Sequence, residues 1–306
     1  MLRGQNKKMS FNSIKNEFAG RSMVTFFGAF LILLTLCLVF FIASKGLATF
    51  YHSHLSPLEF LFSTQWKPDR EIGEGGPAVG AAVFIIGSVL VSSVALLIST
   101  PFSVALAIFM TEISPGLGRK LLQPTIEVFV GIPSVVYGWI GLSVLVPFIR
   151  QSFGGLGFSW IAGSLVLSIM ILPTIASVSA DALRAIPGDY REASYALGAT
   201  RWQTIRRVVL PAAAPGVLTG VVLGLARAFG EALAVQMVLG NTLRIPRSLF
   251  DSTVNMTSII TMDMGNTVMG TAWNNALWSM ALLLLILSFI FILAIHKIGK
   301  RRSSVK

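Results

Sequence analysis

The sequence predicts an all-α integral membrane protein with six transmembrane helices. Its composition is the first reason: 54% of the 306 residues are hydrophobic and only 12% are charged, where a soluble domain carries about 25% charged residues. Segment length is the second: six apolar stretches reach the roughly 20 residues that a helix needs to cross the hydrocarbon core. The third is the placement of charge, which alternates between connections in the way that membrane insertion imposes. Barrel strands would be short and alternating, and these stretches are neither.

The elements follow in order. An N-terminal tail, 1–22, precedes the first helix, 23–50, whose apolar run is about 24–43. That run is too long for a signal-peptide core and has no clear small-x-small cleavage site. It holds the single cysteine, Cys37, which cannot form an internal disulfide and reads as a small packing residue. A polar segment, 51–78, leads to a core over 79–296, and a short tail, 297–306, closes the chain. Within the core the spans are about 79–109, broken by Pro101; 121–149, with Pro124, Pro133 and Pro147; 158–178; 213–239; and 273–295.

Net charge +11 would suit nucleic acid, but its distribution suits a bilayer. Seventeen of the 24 Lys and Arg residues lie in the two tails and in the connections after spans two and four. This bias puts both termini in the cytoplasm. No nucleic-acid partner is expected. The segment 51–78 contains "PDREIGEGGPA", whose glycines lack the Lys-Ser or Lys-Thr of a phosphate-cradling loop. It reads as a polar outer loop. The connection 240–271 is polar, and its pattern leaves open whether it re-enters the membrane.

The loop 179–211 is too polar to span and too patterned to be a linker. "IPGDYREASYALGATRWQTIRRVVLP" reads as two short helices. Asp189 is placed to cap the first, with Glu192 in the box position. Gly198 supplies a left-handed stop. Thr200 caps the second with Gln203, and Pro211 opens the next span. The residues alone allow two uses: an amphipathic element lying on headgroups, or a docking element for a cytoplasmic partner.

The same residues carry a family pattern. Glu192, Ala193 and Gly198, then Leu210 and Pro211, match the loop Glu-Ala-Ala-x3-Gly-x9-Ile-x-Leu-Pro of ATP-binding-cassette (ABC) importer permeases, with Ser194 for the second Ala and Val208 for Ile. The chain resembles a type I ABC importer permease. The resemblance implies that the loop is a coupling element, inserted in a groove of an ATP-hydrolysing subunit. The chain has no GxxxxGK[ST] stretch of its own. It is therefore read as a transport subunit and not an enzyme, with no cofactor of its own, ATP and Mg being bound by the partner ATPase.

Three further stretches, "PFSVALAIFMTE", "VGIPSVVYGWIGLSVLVP" and "RAFGEALAVQMVLGN", resemble the phosphate-specific transport (Pst) permease, C subunit, over most of the chain from about Gly76. The chain departs from it at Glu231-Ala232-Leu233, where that family often has Glu-Thr-Met. The resemblance implies a bacterial plasma membrane, inorganic phosphate as substrate, a heterodimer with an A-type permease, a dimer of ATP-binding subunits, and an extracytoplasmic phosphate-binding protein.

Arg227 falls near the middle of the fifth apolar segment, where a charge costs roughly a few to more than ten kcal/mol. On one continuous helix, Gly216, Gly220, Gly224, Arg227 and Glu231 share a face within about 80° at ~100° per residue. Glycines at this spacing let a neighbouring helix approach. The charges therefore point inward, and as an i, i+4 pair they are expected to bridge. Two roles stay open: a structural bridge, or a substrate-path site in which the forked guanidinium meets a tetrahedral oxyanion. In the second role Glu231 would hold Arg227 when no anion is present. Ser134 joins the candidates because Pro133 frees backbone groups beside it. Glu127 reads as an interfacial anchor, and no His has a metal-spaced partner.

The competing readings are a permease for sulfate, molybdate or tungstate, and a stand-alone secondary anion transporter. The latter predicts inverted repeats and more midplane ionisable groups, which the sequence does not display.

Overall fold

The computed structural model describes residues 11–52, 56–70 and 76–303. Arg3, Lys7, Lys8, His54, the glycine-rich stretch 71–75 and Lys306 lie outside them. The chain is helical nearly throughout: α1 (Phe11–His52), α2 (Pro57–Phe62), α3 (Ala82–Ile108), α4 (Pro115–Leu117), α5 (Gln123–Gly131), α6 (Ser134–Ile140), α7 (Val146–Phe153), α8 (Trp160–Arg184), α9 (Gly188–Ala196), α10 (Arg201–Thr204), α11 (Leu210–Gly230), α12 (Leu233–Leu239), α13 (Met256–Asp263) and α14 (Ala272–Ser303). A small antiparallel ladder pairs β1 (Trp66–Lys67) with β2 (Ala78–Val79). Among the described residues, six helices are long and apolar enough to span a membrane: Gly20–Tyr51, Ala82–Ile113, Ser134–Phe153, Trp160–Arg184, Arg201–Gly230 and Ala272–Lys297.

The main core lies where α3, α6, α8, α11 and α12 meet, around Val91, Tyr137, Met170, Ile171, Val235 and Leu239. The α8–α11 contact is close because α11 presents glycine. A Cβ on Gly216 would stand 2.4 Å from Ala182 Cβ, and one on Gly224 would stand 2.6 Å from Ile175 Cγ1. Gly220 lies against the Ile175 carbonyl and Val178. The three glycines thus form one seam along α8.

Three spans differ from the sequence expectation. The second, expected to be broken by Pro101, is helical without interruption over Ala82–Ile108 with the proline inside it. The third, expected as one span over 121–149 with Pro133 inside it, divides at Ile132 and Pro133, and the crossing helix runs Ser134–Phe153. Proline disfavours helical backbone in the residue before it, and Ile132 is extended at φ −67°, ψ 128°. Pro124 and Pro147 do no damage because each sits in a helical first turn. The fifth span was expected over 213–239. It instead starts at Arg201, passes through a wide π-type turn over Ile205–Val209, and stops at Gly230. Pro211 lacks an N–H, and the wide turn just before it keeps the helix continuous. What was read as a separate second loop helix is therefore the first turns of the span.

The connection 240–271 does fold back into the bundle. Thr253 N donates to Leu239 O at 3.2 Å, and Met256 N donates to Ser88 Oγ at 2.9 Å. Val254 and Met256 are buried beside Phe84 and Leu277. Gly87 makes room for the Val254 carbonyl, which a Cβ there would meet at 2.1 Å.

The first helix stands apart from the core and packs along α14. Ser279 Oγ donates to Gly46 O at 2.5 Å and lies 2.6 Å from Thr49 Oγ1. Cys37, expected to pack, is exposed on this helix.

Candidate functional site: a charged helix break and a basic loop

The expected Arg227–Glu231 bridge is not made. The i, i+4 argument assumed one continuous helix, but α11 ends at Gly230 and Glu231 is extended at φ −75°, ψ 124°. Arg227 therefore sits in the last turn of α11, where the negative end of the helix dipole favours a cation. Its Nη1 donates to Thr174 Oγ1 on α8 at 3.0 Å. Glu231 sits at the opening of α12, where the positive end favours an anion, and its Oε1 accepts from Ala234 N at 3.1 Å. Each charge is satisfied by a helix end, and among the described residues no carboxylate lies within 4.0 Å of Arg227.

The break leaves backbone groups free at membrane depth, which must be met by protein or water. One of them, the Glu231 carbonyl, accepts from Thr257 Oγ1 at 2.7 Å. Thr257 belongs to α13 on the re-entrant segment. A second break lies beside this one: α6 begins at Ser134 just after Pro133, and a Cβ on Gly138 would stand 2.7 Å from Ala234 Cα on α12. Ser134 is half-buried at the start of α6. Tyr137, one turn on, donates to Phe129 O at 2.8 Å across the break. Beyond the two breaks lies a mainly apolar cavity of about 600 Å³, lined by Val135, Leu142, Leu233, Met237 and Asn241 among others.

The segment expected as a loop over 179–211 forms a compact second site: its first residues complete α8, which runs to Arg184, and its last begin the fifth span at Arg201. Thr200 and Gln203 make the reciprocal capping box expected of them. Gly198 is left-handed at φ +78°. Asp189, expected as a cap, lies inside the first turn of α9, whose N-cap is Pro187. It still complements the helix dipole there. Ser194 is buried, and its hydroxyl lies 2.9 Å from Thr204 Oγ1, joining α9 to α10. Glu192 and Ala193 are exposed, Leu197 is 89% exposed, and Tyr190 and Trp202 are exposed beside them. Leu210 and Pro211 open α11.

Sequence reasoning missed what anchors this loop. Glu112, at the end of α3, receives Arg191 Nη2 at 2.5 Å and Nε at 3.2 Å. This bonding raises the Arg191 pKa further above its ordinary value. Arg201 donates to the carbonyls of Glu112 and Ile113. Thr174 also went unselected. Its position right after Pro173, in an apolar span, was the available signal. Glu127, read as an anchor, is exposed and accepts from Gln123 on its own helix at 3.2 Å. Among the described residues, no group of three or more His, Cys, Asp or Glu could hold a metal ion.

Comparison with known proteins supplies the family. Residues 103–304 match the family described as "Binding-protein-dependent transport system inner membrane component". The chain is 54% identical to the "Probable ABC transporter permease protein YqgH" of Bacillus subtilis (strain 168) over 94% of this chain and 92% of that protein. It is 34% identical to the "Phosphate transport system permease protein PstC" of Mesorhizobium japonicum over 78% of this chain and 76% of that one. Among solved structures, a chain of a bacterial ABC transporter involved in the import of the acidic polysaccharide alginate aligns with TM-score 0.63 at 17% identity, covering 95% of this chain and 98% of that one. The MetNI methionine transporter, in an inward-facing form, aligns at 0.54 with 22% identity over 72% and 96%. These likenesses concern the fold. The chain belongs to the family of binding-protein-dependent transport inner membrane components, and it is a permease subunit of a type I ABC importer.

Proposed function

We propose that this permease forms half of the pathway by which an ABC importer takes up inorganic phosphate. The observation that carries this reading is Arg227: a half-buried guanidinium at the end of a broken helix, bonded to one threonine and not neutralised by a carboxylate. A guanidinium has five N–H donors in a planar fork, so most of them are free for the oxygens of a tetrahedral anion. Glu231 does not release or hold Arg227 in this reading. It ends α11, starts α12, and so fixes where the guanidinium points. Ser134, at the neighbouring break, adds a hydroxyl at the start of α6.

Energy comes from a separate ATP-binding dimer, which carries ATP and Mg. It docks on the loop built by α9 and α10 through Glu192, Ala193, Gly198 and the exposed apolar residues around them. That end of the bundle faces the cytoplasm, as the excess of Arg and Lys there favours, so both termini are cytoplasmic. An A-type permease completes the pathway, and an extracytoplasmic phosphate-binding protein delivers substrate to the opposite face.

Sulfate, molybdate and tungstate are also tetrahedral, so a guanidinium alone does not select among them. Relatives named for phosphate transport, such as PstC of Mesorhizobium japonicum, favour phosphate. The experiment is uptake of labelled phosphate by the reconstituted complex, requiring ATP and the binding protein, with sulfate as competitor. Uptake that sulfate abolishes and phosphate does not would overturn the choice of substrate. Uptake without ATP would revive a secondary transporter.

A further inference from the structure

We propose that Glu112 is a positioning residue that ties three membrane helices to the docking loop, so that a displacement of α9 reaches all three together. The inference rests on the proposed docking of that loop to an ATPase. Glu112 closes the wide turn at the end of α3, and its side chain is only 9% exposed. Its carboxylate takes both Nε and Nη2 of Arg191, which lies on α9. The same guanidinium donates to Leu183 O at 3.1 Å and Ile186 O at 2.8 Å, at the end of α8. Arg201, at the start of the helix that becomes α11, donates to the Glu112 and Ile113 carbonyls. The Glu112 carboxylate thus joins the end of α3 to α9 and, through the shared Arg191 guanidinium, to the end of α8, while the backbone carbonyls beside it hold the start of the α10–α11 helix. Forked, charge-assisted pairs of this kind are the most direction-specific of side-chain contacts.

The connection continues inward. The α8 and α11 helices pack along the glycine seam and carry Thr174 and Arg227, which bond to each other. The α3 helix packs along α8, and its Ala107 and Ile108 lie in one buried cluster with Leu183, Ile205 and Val209; the Glu112 carboxylate adds its direct charged link to α9. Without that link α9 would still engage its partner, but its movement would reach α3 only through apolar packing, which has no comparable directional constraint.

The test uses the complete complex in liposomes, with Glu112→Gln, Arg191→Lys, the double variant, and Glu112→Asp as the conservative control. Phosphate uptake and ATP hydrolysis are measured together. Glu112→Gln and Arg191→Lys are expected to keep the ATPase subunits bound and hydrolysis near wild type. Uptake per ATP is expected to fall about tenfold, in line with the loss of a hydrogen bond to a charged group. The double variant should fall no further than the single ones, because the two residues share one interaction, and Glu112→Asp should recover most of the coupling. Unchanged uptake per ATP in Glu112→Gln would overturn the proposal. So would loss of the ATPase subunits from that variant with an unaltered ratio in what remains, which is a purely structural role. A wild-type chain that binds no ATPase is a different result: it removes the docking reading, and the proposal with it.

Discussion

Arg227 and Glu231 are four residues apart and belong to different helices. Arg227 ends α11 and reaches Thr174; Glu231 opens α12 and reaches the Ala234 amide. The cost of a charge at membrane depth is met by helix dipoles and hydrogen bonds, and the two charges are free of one another.

Arg227 is therefore expected to be needed for its donors as well as its charge. Arg227→Gln should lower phosphate uptake about 10- to 150-fold, the range that follows from losing one charged hydrogen bond. Arg227→Lys should lose less, keeping the charge but not the fork. Thr174→Val should lose least, since it removes an orienting contact alone. Uptake at saturating ATP and binding protein checks the order.

Glu231 should tolerate an amide. Glu231→Gln keeps an oxygen that can accept from Ala234 N, whereas Glu231→Ala leaves that amide without its cap, at about 1 kcal/mol. Gln is expected to retain most of the uptake and Ala to lose it. Equal loss in both would mean that the carboxylate charge itself is required.

The glycine seam should reject side chains. Gly216→Leu and Gly224→Leu would drive atoms into Ala182 and Ile175, an overpacking that costs about 1–3 kcal/mol. Gly20→Leu, where a Cβ meets nothing within 4 Å, serves as the control. Thermal unfolding of the purified complex, followed by size-exclusion fluorescence, should show the first two melting lower and the third unchanged.

Ser194 should hold the docking loop together. Ser194→Ala removes the hydroxyl that meets Thr204, a loss of about 1 kcal/mol, and α9 amides should exchange faster by hydrogen–deuterium exchange. Ser194→Cys, which is close in volume, should exchange less than Ala.

The connection 240–271 carries a pH-dependent clasp. Asp251 accepts from the backbone amides of Arg247 at 2.7 Å and Ser248 at 2.9 Å, and these bonds lower its pKa below the ordinary carboxylate value. A depressed folded pKa means that the clasp is complete above the unfolded value and is lost as pH falls through the folded one. Exchange of the Arg247 and Ser248 amides should accelerate on acidification through that window, and Asp251→Asn should exchange fast at neutral pH.

Much of this architecture is legible in the sequence, because apolar length and charge bias are strong signals. The six spans, the capping box at Thr200, the left-handed Gly198 and the glycine face toward a neighbour are all local or periodic properties. What escaped depends on partners far along the chain. A helical wheel cannot see that α11 stops at Gly230, because Glu231 and Ala232 are ordinary in a helix, and the Thr257 hydroxyl that meets the free Glu231 carbonyl comes 26 residues later. The break at Pro133 is readable, since proline acts on its immediate neighbour; that it divides two separate helices is not, because the helices on either side are both apolar. Glu112 could not be matched to Arg191, 79 positions away, by any spacing rule.

The re-entrant segment has a practical consequence for labelling the protein. Polar Thr, Ser and Asn residues recur along its whole length. Yet residues 253–259 are buried, whereas Val268 and Met269 are more than 70% exposed and Gly270 beside them has open space around it. An epitope or fluorophore introduced at 268–270 would sit on the surface and report which side of the membrane this end occupies. The same insertion fifteen residues earlier would wedge open the interior and silence the transporter it was meant to track.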